Sequence, residues 1–284
     1  MSDSRVVRSL SSEWRKVLST KLWWILAIVI AAYSAMIASM FAFMFSAMGD
    51  MLAGAGAGAG APQLPAQSAA NMVYSSVSTF GYVVPLLLGA LTATGELRHR
   101  TLGLTFTLEP RRGLVLLSKT AVLIVFGVLL GAAGLLGAVG AGAGVTAATG
   151  GDPMLGSGET WAVIGRVLAA LGIWAVIGFG IGVLVRNQAI AIVIALVFTQ
   201  FVEPLLRTGA QFWEWSAQIA KFLPGAATDS FVGASVMSSL SSLDPSVPQG
   251  SSALGIWAGL AVLVAYAVVA VAAGWLLRWR RDVV

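Results

Sequence analysis

Long uncharged apolar runs alternate with short polar intervals along this chain, and six of the runs reach the length of a membrane-crossing helix. At a rise of about 1.5 Å per residue, a hydrocarbon core of about 30 Å takes roughly 20 helical residues. The pattern predicts spans over residues 22–45, 71–95, 114–141, 161–185, 188–206 and 253–277. The fifth run is short, with Glu203 and Pro204 near one end. Ahead of the first span, Val6, Leu10, Trp14, Val17 and Leu18 recur at helical spacing against Arg5, Arg8, Arg15 and Lys16. That is the pattern of an amphipathic helix over 1–21 lying in a membrane interface, its cations near lipid headgroups. A cleaved signal peptide is the competing reading, but the uncharged run from Leu22 to Gly49 far exceeds an h-region of about 7–15 residues.

Composition agrees with an all-α polytopic membrane protein. Of 284 residues, 58% are hydrophobic and 10% charged, whereas about a quarter of a soluble domain is charged. The mean hydropathy is +0.88. A net charge of +5 and a pI near 10.0 would suggest nucleic acid in a soluble protein, so the placement of the cations decides their meaning. Counted on alternate sides of the six spans, 14 Lys and Arg residues fall on one side, and only Arg166, Arg207 and Lys221 on the other. The positive-inside rule then puts both termini, the loop at 96–113 and the tail at 278–284 in the cytoplasm, and no nucleic-acid partner is needed. Trp23, Trp24, Trp275 and Trp279 fall at the expected inner interface, and Trp161, Trp213, Trp215 and Trp257 at the outer one.

Outside the membrane, the repeat AGAGAGAGAP at 53–62 reads as a flexible connector. The stretch at 207–252 reads as extracellular or re-entrant. Within it, QFWEWSAQIAKFLPG (211–225) is expected to form a short helix on or in the outer leaflet, ending at a Pro-Gly breaker.

The chemistry of an enzyme is not written in the chain. There is no cysteine, one histidine (His99), no HExxH, no GxSxG and no GxxxxGK[ST]. The expectation is a protein without catalytic residues, metal or cofactor of its own. An ion-coupled transporter would place ionisable groups near the bilayer midplane. Here Arg166 and Glu203 fall near outer helix ends, where snorkelling to water accounts for them. Tyr82 and Gln200 lie deeper and are candidates for lining a pathway, although single polar residues more often join helices together. Gly-rich runs such as GAAGLLGAVGAGAG (131–144) equally suit close helix packing.

Seven of the 29 formal charges lie between Thr94 and Lys119. Glu96, Arg98 and Arg100 follow the second run, and Leu102, Leu104, Phe106 and Leu108 then alternate with Thr and Gly up to Glu109-Pro110. An ordinary positive-inside loop explains the arginines but not the apolar alternation, which suits a docking surface. In order and spacing, Glu96-Leu97-Arg98-His99-Arg100-Thr101, Pro110-Arg111-Arg112 and Lys119 resemble the E-x-R-x-x-T … P-x-R … K pattern between the second and third spans of ABC-2 type transporter permeases. Glu13-Trp14-Arg15-Lys16 with Trp23-Trp24 is similar to the start of that family, and KFLPGAATDSF (221–231) to its segment before the last span.

The resemblance implies a six-span permease in a bacterial plasma membrane. It would pair with a second permease copy, the same or different, and bind separately encoded cytoplasmic ABC ATPases that hold the ATP and magnesium. It implies that Glu96, Arg98, Arg100 and Thr101 belong to the ATPase-coupling region and Pro110, Arg111 and Arg112 to its boundary. Glu13, Trp14 and Lys16 would lie on the interfacial helix. The expected function is export of a hydrophobic or amphiphilic substrate such as a drug, lipid or peptide. The alternatives are a membrane scaffold or sensor that recruits a cytoplasmic partner, and an ion-coupled transporter.

Overall fold

The computed structural model describes residues 3–54, 65–98, 103, 107, 111–185, 187–209, 214–234 and 254–279. Among them there is no strand. Six helices are long and apolar enough to cross a membrane: Leu22–Ala47, Ala66–Glu96, Arg112–Ala148, Gly158–Val185, Gln188–Gly209 and Ile256–Leu277. The alternating connector at 55–64, most of the polar loop between Arg98 and Arg111, and most of 235–253 lie outside the described residues.

The chain opens with α1 (Asp3–Ser19), followed after a short bend by α2 (Leu22–Gly54). Span 2 consists of two helices, α3 (Ala66–Gly81) and α4 (Val83–Arg98), parted at Tyr82. Pro85 explains the break: it has no N–H to donate to the Gly81 carbonyl, and its ring crowds that same carbonyl. Spans 3 and 4 are unbroken, α5 (Arg112–Ala148) and α6 (Gly158–Val185). Span 5 begins as α7 (Gln188–Val197), where the Asn187 side chain caps the first turn by accepting the Ala189 and Ile190 N–H groups. It widens into a π-turn over Phe198–Val202 and continues as α8 (Glu203–Gly209). Pro204, just past the π-turn, supplies the cause, because the missing donor loosens the preceding ladder. Two short helices follow, α9 (Glu214–Ala220) and α10 (Pro224–Val232), and the last span is α11 (Ile256–Gly274) with a π-turn over Trp275–Trp279.

The spans pass back and forth, so their ends fall into two groups. One apolar cluster joins Val17 of α1, Leu88 and Ala93 of α4, Val115 of α5, Val183 of α6 and Trp275 beyond α11. The N-terminal helix and the end of the last span therefore share one end of the bundle. The other cluster takes in Tyr74, Leu135, Val163, Trp174, Phe231 and Leu263, and α10 is packed into it.

Small residues let these helices approach closely. A Cβ on Gly89 of α4 would lie 1.9 Å from the Ala175 carbonyl oxygen of α6, and one on Gly178 of α6 1.9 Å from that of Leu86. Neither position has room for any larger residue. Spans 2 and 4 are accordingly the interior ones, 67% and 72% buried over their most apolar windows, against 22%, 22% and 17% for spans 1, 5 and 6. Those three spans present apolar side chains outward, among them Met36, Met40, Phe43, Ile190, Val193, Val268 and Val269.

Candidate functional site

Four charged side chains from three elements meet where α1 crosses the bundle. The amphipathic pattern of α1 turns Glu13 and Val17 inward and leaves Arg5, Arg8 and Arg15 exposed. Trp14 anchors the helix, its ring 4.8 Å from that of Phe126 on α5, and Trp23 meets the same phenylalanine at 6.1 Å. This packing carries Glu13 to the end of α4 and the first turns of α5. The Lys119 ammonium donates to Glu13 Oε2 at 2.5 Å and to Glu96 Oε1 at 2.8 Å. Lys16 donates to Glu13 Oε1 at 2.5 Å and to the same Glu96 oxygen at 3.1 Å.

Two carboxylates thus interleave with two ammonium groups, and the formal charges of the four cancel. The Glu13, Lys119 and Glu96 side chains are only 4%, 5% and 12% exposed, and Lys16 is half-buried. Burial alone would lower the pKa of Lys16, but the Glu96 and Glu13 carboxylates outweigh it and hold the ammonium above its ordinary value of 10.5. The arrangement fastens α1 to the end of span 2 and the start of span 3, the two ends that flank the polar loop.

Other residues singled out in the sequence fall nearby. Arg98 is exposed and donates to Gln188 Oε1 at 3.2 Å, tying the end of α4 to the start of α7. Arg111 stands exposed just before α5, and Arg112 is its first residue. His99, Arg100, Thr101 and Pro110 lie outside the described residues. Sequence reading set Glu13 and Lys16 on one helix and Glu96 at the end of another without bringing them together. Lys119 is named with Glu96 in the loop pattern, but the demand of a lone ammonium within an apolar run for a partner of opposite charge was the signal left unused.

A second polar group surrounds α10, whose Pro224 suits the first helical position. Pro224-Gly225 therefore starts a helix here, rather than only stopping the one before. The Glu203 residue is 1% exposed, so it does not snorkel to water, and its Oε1 accepts the Ala226 N–H of α10 at 3.2 Å. Arg207 pairs with Asp229 of α10, and Asp229 also accepts from the Thr79 hydroxyl at 3.2 Å. The Trp174 indole N–H donates to the Thr228 hydroxyl at 3.0 Å. Tyr82 stacks on Trp174 with ring centroids 4.4 Å apart, and its hydroxyl donates to the Thr199 carbonyl in the π-turn at 3.1 Å.

Tyr82 and Trp174 lie near the middle of their spans, so α10 reaches deep into the bundle. Within this chain Tyr82 joins helices, and Gln200 is exposed on the outward face of span 5. No protein-family model matches the chain, and no curated protein matches its sequence.

Proposed function

We propose that the chain is the permease subunit of an ATP-driven exporter, of the ABC-2 type that its loop and N-terminal residues resemble. Separate cytoplasmic ABC ATPases bind at the α1 end of the bundle, with both termini on that side, and a second permease copy completes the pathway. The observation that carries this reading is the Glu13–Lys16–Glu96–Lys119 cluster. It makes α1 and the two span ends beside the polar loop one mechanical unit, and such a unit passes a push on the loop directly to spans 2 and 3.

Work is transmitted only if that unit binds one arrangement of the ATPases better than another. The outward apolar faces of spans 1, 5 and 6 are available to lipid and to a second copy. Substrates of this reading are hydrophobic or amphiphilic, and ATP and magnesium belong to the partner.

Arg111→Ala tests the proposal, because the exposed side chain at the loop boundary can be removed without opening the buried cluster. In vesicles holding the variant and its ATPase, stimulation of hydrolysis by the permease should fall by about fivefold or more, the scale of one coupling interaction. Insertion and amount should be unchanged. Wild-type stimulation would remove the loop boundary from the coupling route. An ATPase that binds the chain without any stimulation would favour a scaffold.

A further inference from the structure

Glu203 takes no part in the charged cluster at the α1 end. Its residue is 1% exposed, and its Oε2 accepts no hydrogen bond among the described residues. The carboxyl is aimed at the N-terminus of α10, a helix of nine residues. Gly225 makes the approach feasible, since a Cβ there would lie 2.3 Å from Oε1. A carboxylate with one oxygen bare in an apolar interior carries a far larger penalty than a neutral carboxylic acid left in the same place.

Among the described residues, the charged and titratable groups facing Glu203 are few. Arg207 stands four residues on along its own helix, Asp229 faces it from α10, Tyr82 from the joint of α3 and α4, and Tyr266 from α11. The one cation among them is already engaged by Asp229. Glu203 and Arg207 are nonetheless spaced i, i+4 with the acid on the N-terminal side, the favoured order for an ion pair along one helix.

We propose that Glu203 is a proton-binding carboxyl whose occupancy decides whether Arg207 holds Asp229 of α10 or Glu203 on its own helix. With the proton bound, Glu203 is neutral, Arg207 pairs with Asp229, and α10 is fastened to span 5. When the proton passes to water, the new carboxylate competes for Arg207, Asp229 loses its cation, and α10 is left held to span 5 at its N-terminal N–H groups alone, so that the rest of the helix loosens. The ligand is a proton rather than a metal cation, because the groups next to the carboxyl are backbone N–H donors and a guanidinium, all of which repel a metal ion. This inference holds for the chain by itself and does not depend on an ATPase.

The full-length chain in lipid nanodiscs provides the test, by infrared titration together with spin-label distances between Leu205→Cys and Phe222→Cys. Both labelled positions are exposed, and the chain has no cysteine of its own to remove. The expected result is a protonated-carboxyl band in the otherwise wild-type chain that is lost in Glu203→Gln. As pH rises, that band should decay and the Leu205–Phe222 distribution should broaden over the same range. Glu203→Gln, a permanently neutral isostere, should keep the distribution narrow throughout. Asp229→Asn should keep the acid band while its distance distribution no longer responds to pH, which separates the switch from a folding defect in the first variant. The same band in Glu203→Gln, a pH response in that variant equal to wild type, or a titration shifted by replacing choline with sodium would each overturn the proposal.

Discussion

Removing the Lys119 ammonium would leave the Glu13 carboxylate, 4% exposed, with one of its two cations gone. Breaking a buried ion pair from one side costs about 3–5 kcal/mol, because the remaining charge stays in a medium that cannot solvate it. Lys119→Met should therefore lower stability by about that amount, and Glu13→Gln should do likewise. The double variant should lose clearly less than the two losses added together, since both single changes delete the same interaction. Thermal unfolding of the four proteins in one detergent measures this directly. Additive losses would mean that Glu13 and Lys119 do not act on each other. At this scale the sequence showed which residues carry charge in apolar surroundings, but not which ones meet. Glu13 and Lys119 are 106 positions apart, and only the path of the helices brings them together. Glu203 was harder still. A glutamate near the end of an apolar run looks solvated until a short helix is found lying over it.

Among the elements, regular apolar runs were the most legible, because a stretch without charges has few alternatives to a helix in a bilayer. Their interruptions were not. The break at Tyr82 and the π-turn at Phe198–Val202 arise from single prolines, Pro85 and Pro204, whose effect depends on the carbonyls they leave without donors. The helix α10 was legible as a short amphipathic region before the last span, but its depth was not. That depth is set by Gly259 of α11, where a Cβ would lie 2.7 Å from the Ala227 carbonyl oxygen, and by the Thr228–Trp174 hydrogen bond. Glycine also controls the contact between α4 and α6. Gly178→Ala should destabilise the chain by about 1–3 kcal/mol, the range for an overpacked site. Gly140→Ala on α5 meets nothing within 4 Å and should be neutral or stabilising by up to about 1 kcal/mol, since alanine is the better helix former. Chemical or thermal unfolding of both in parallel checks the pair, and equal effects would show that α4 and α6 separate without cost.

Across the whole molecule, the alternation of spans gathers α1, the end of span 2, the start of span 3 and the end of span 6 at one end of the bundle. The same end receives most of the basic residues in the count of 14 to three, which is why the reading places it in the cytoplasm. The opposite half contains α10 and its polar links to spans 2, 4 and 5. A chain so arranged has one end proposed to receive a push and a separate helix deep in its other half, held by the apolar packing of Ala227, Phe231 and Val232 together with a few polar contacts. The first of these is the end proposed to dock an ATPase. Purification of the tagged chain from its native membrane in mild detergent, with assay of vanadate-sensitive hydrolysis and of subunit ratio, decides whether it does. The expected result is an ABC ATPase recovered in roughly equal amount, with hydrolysis that falls when Arg111 is replaced by alanine. Recovery of the chain without an ATPase and without hydrolysis, even after gentle crosslinking, would contradict it.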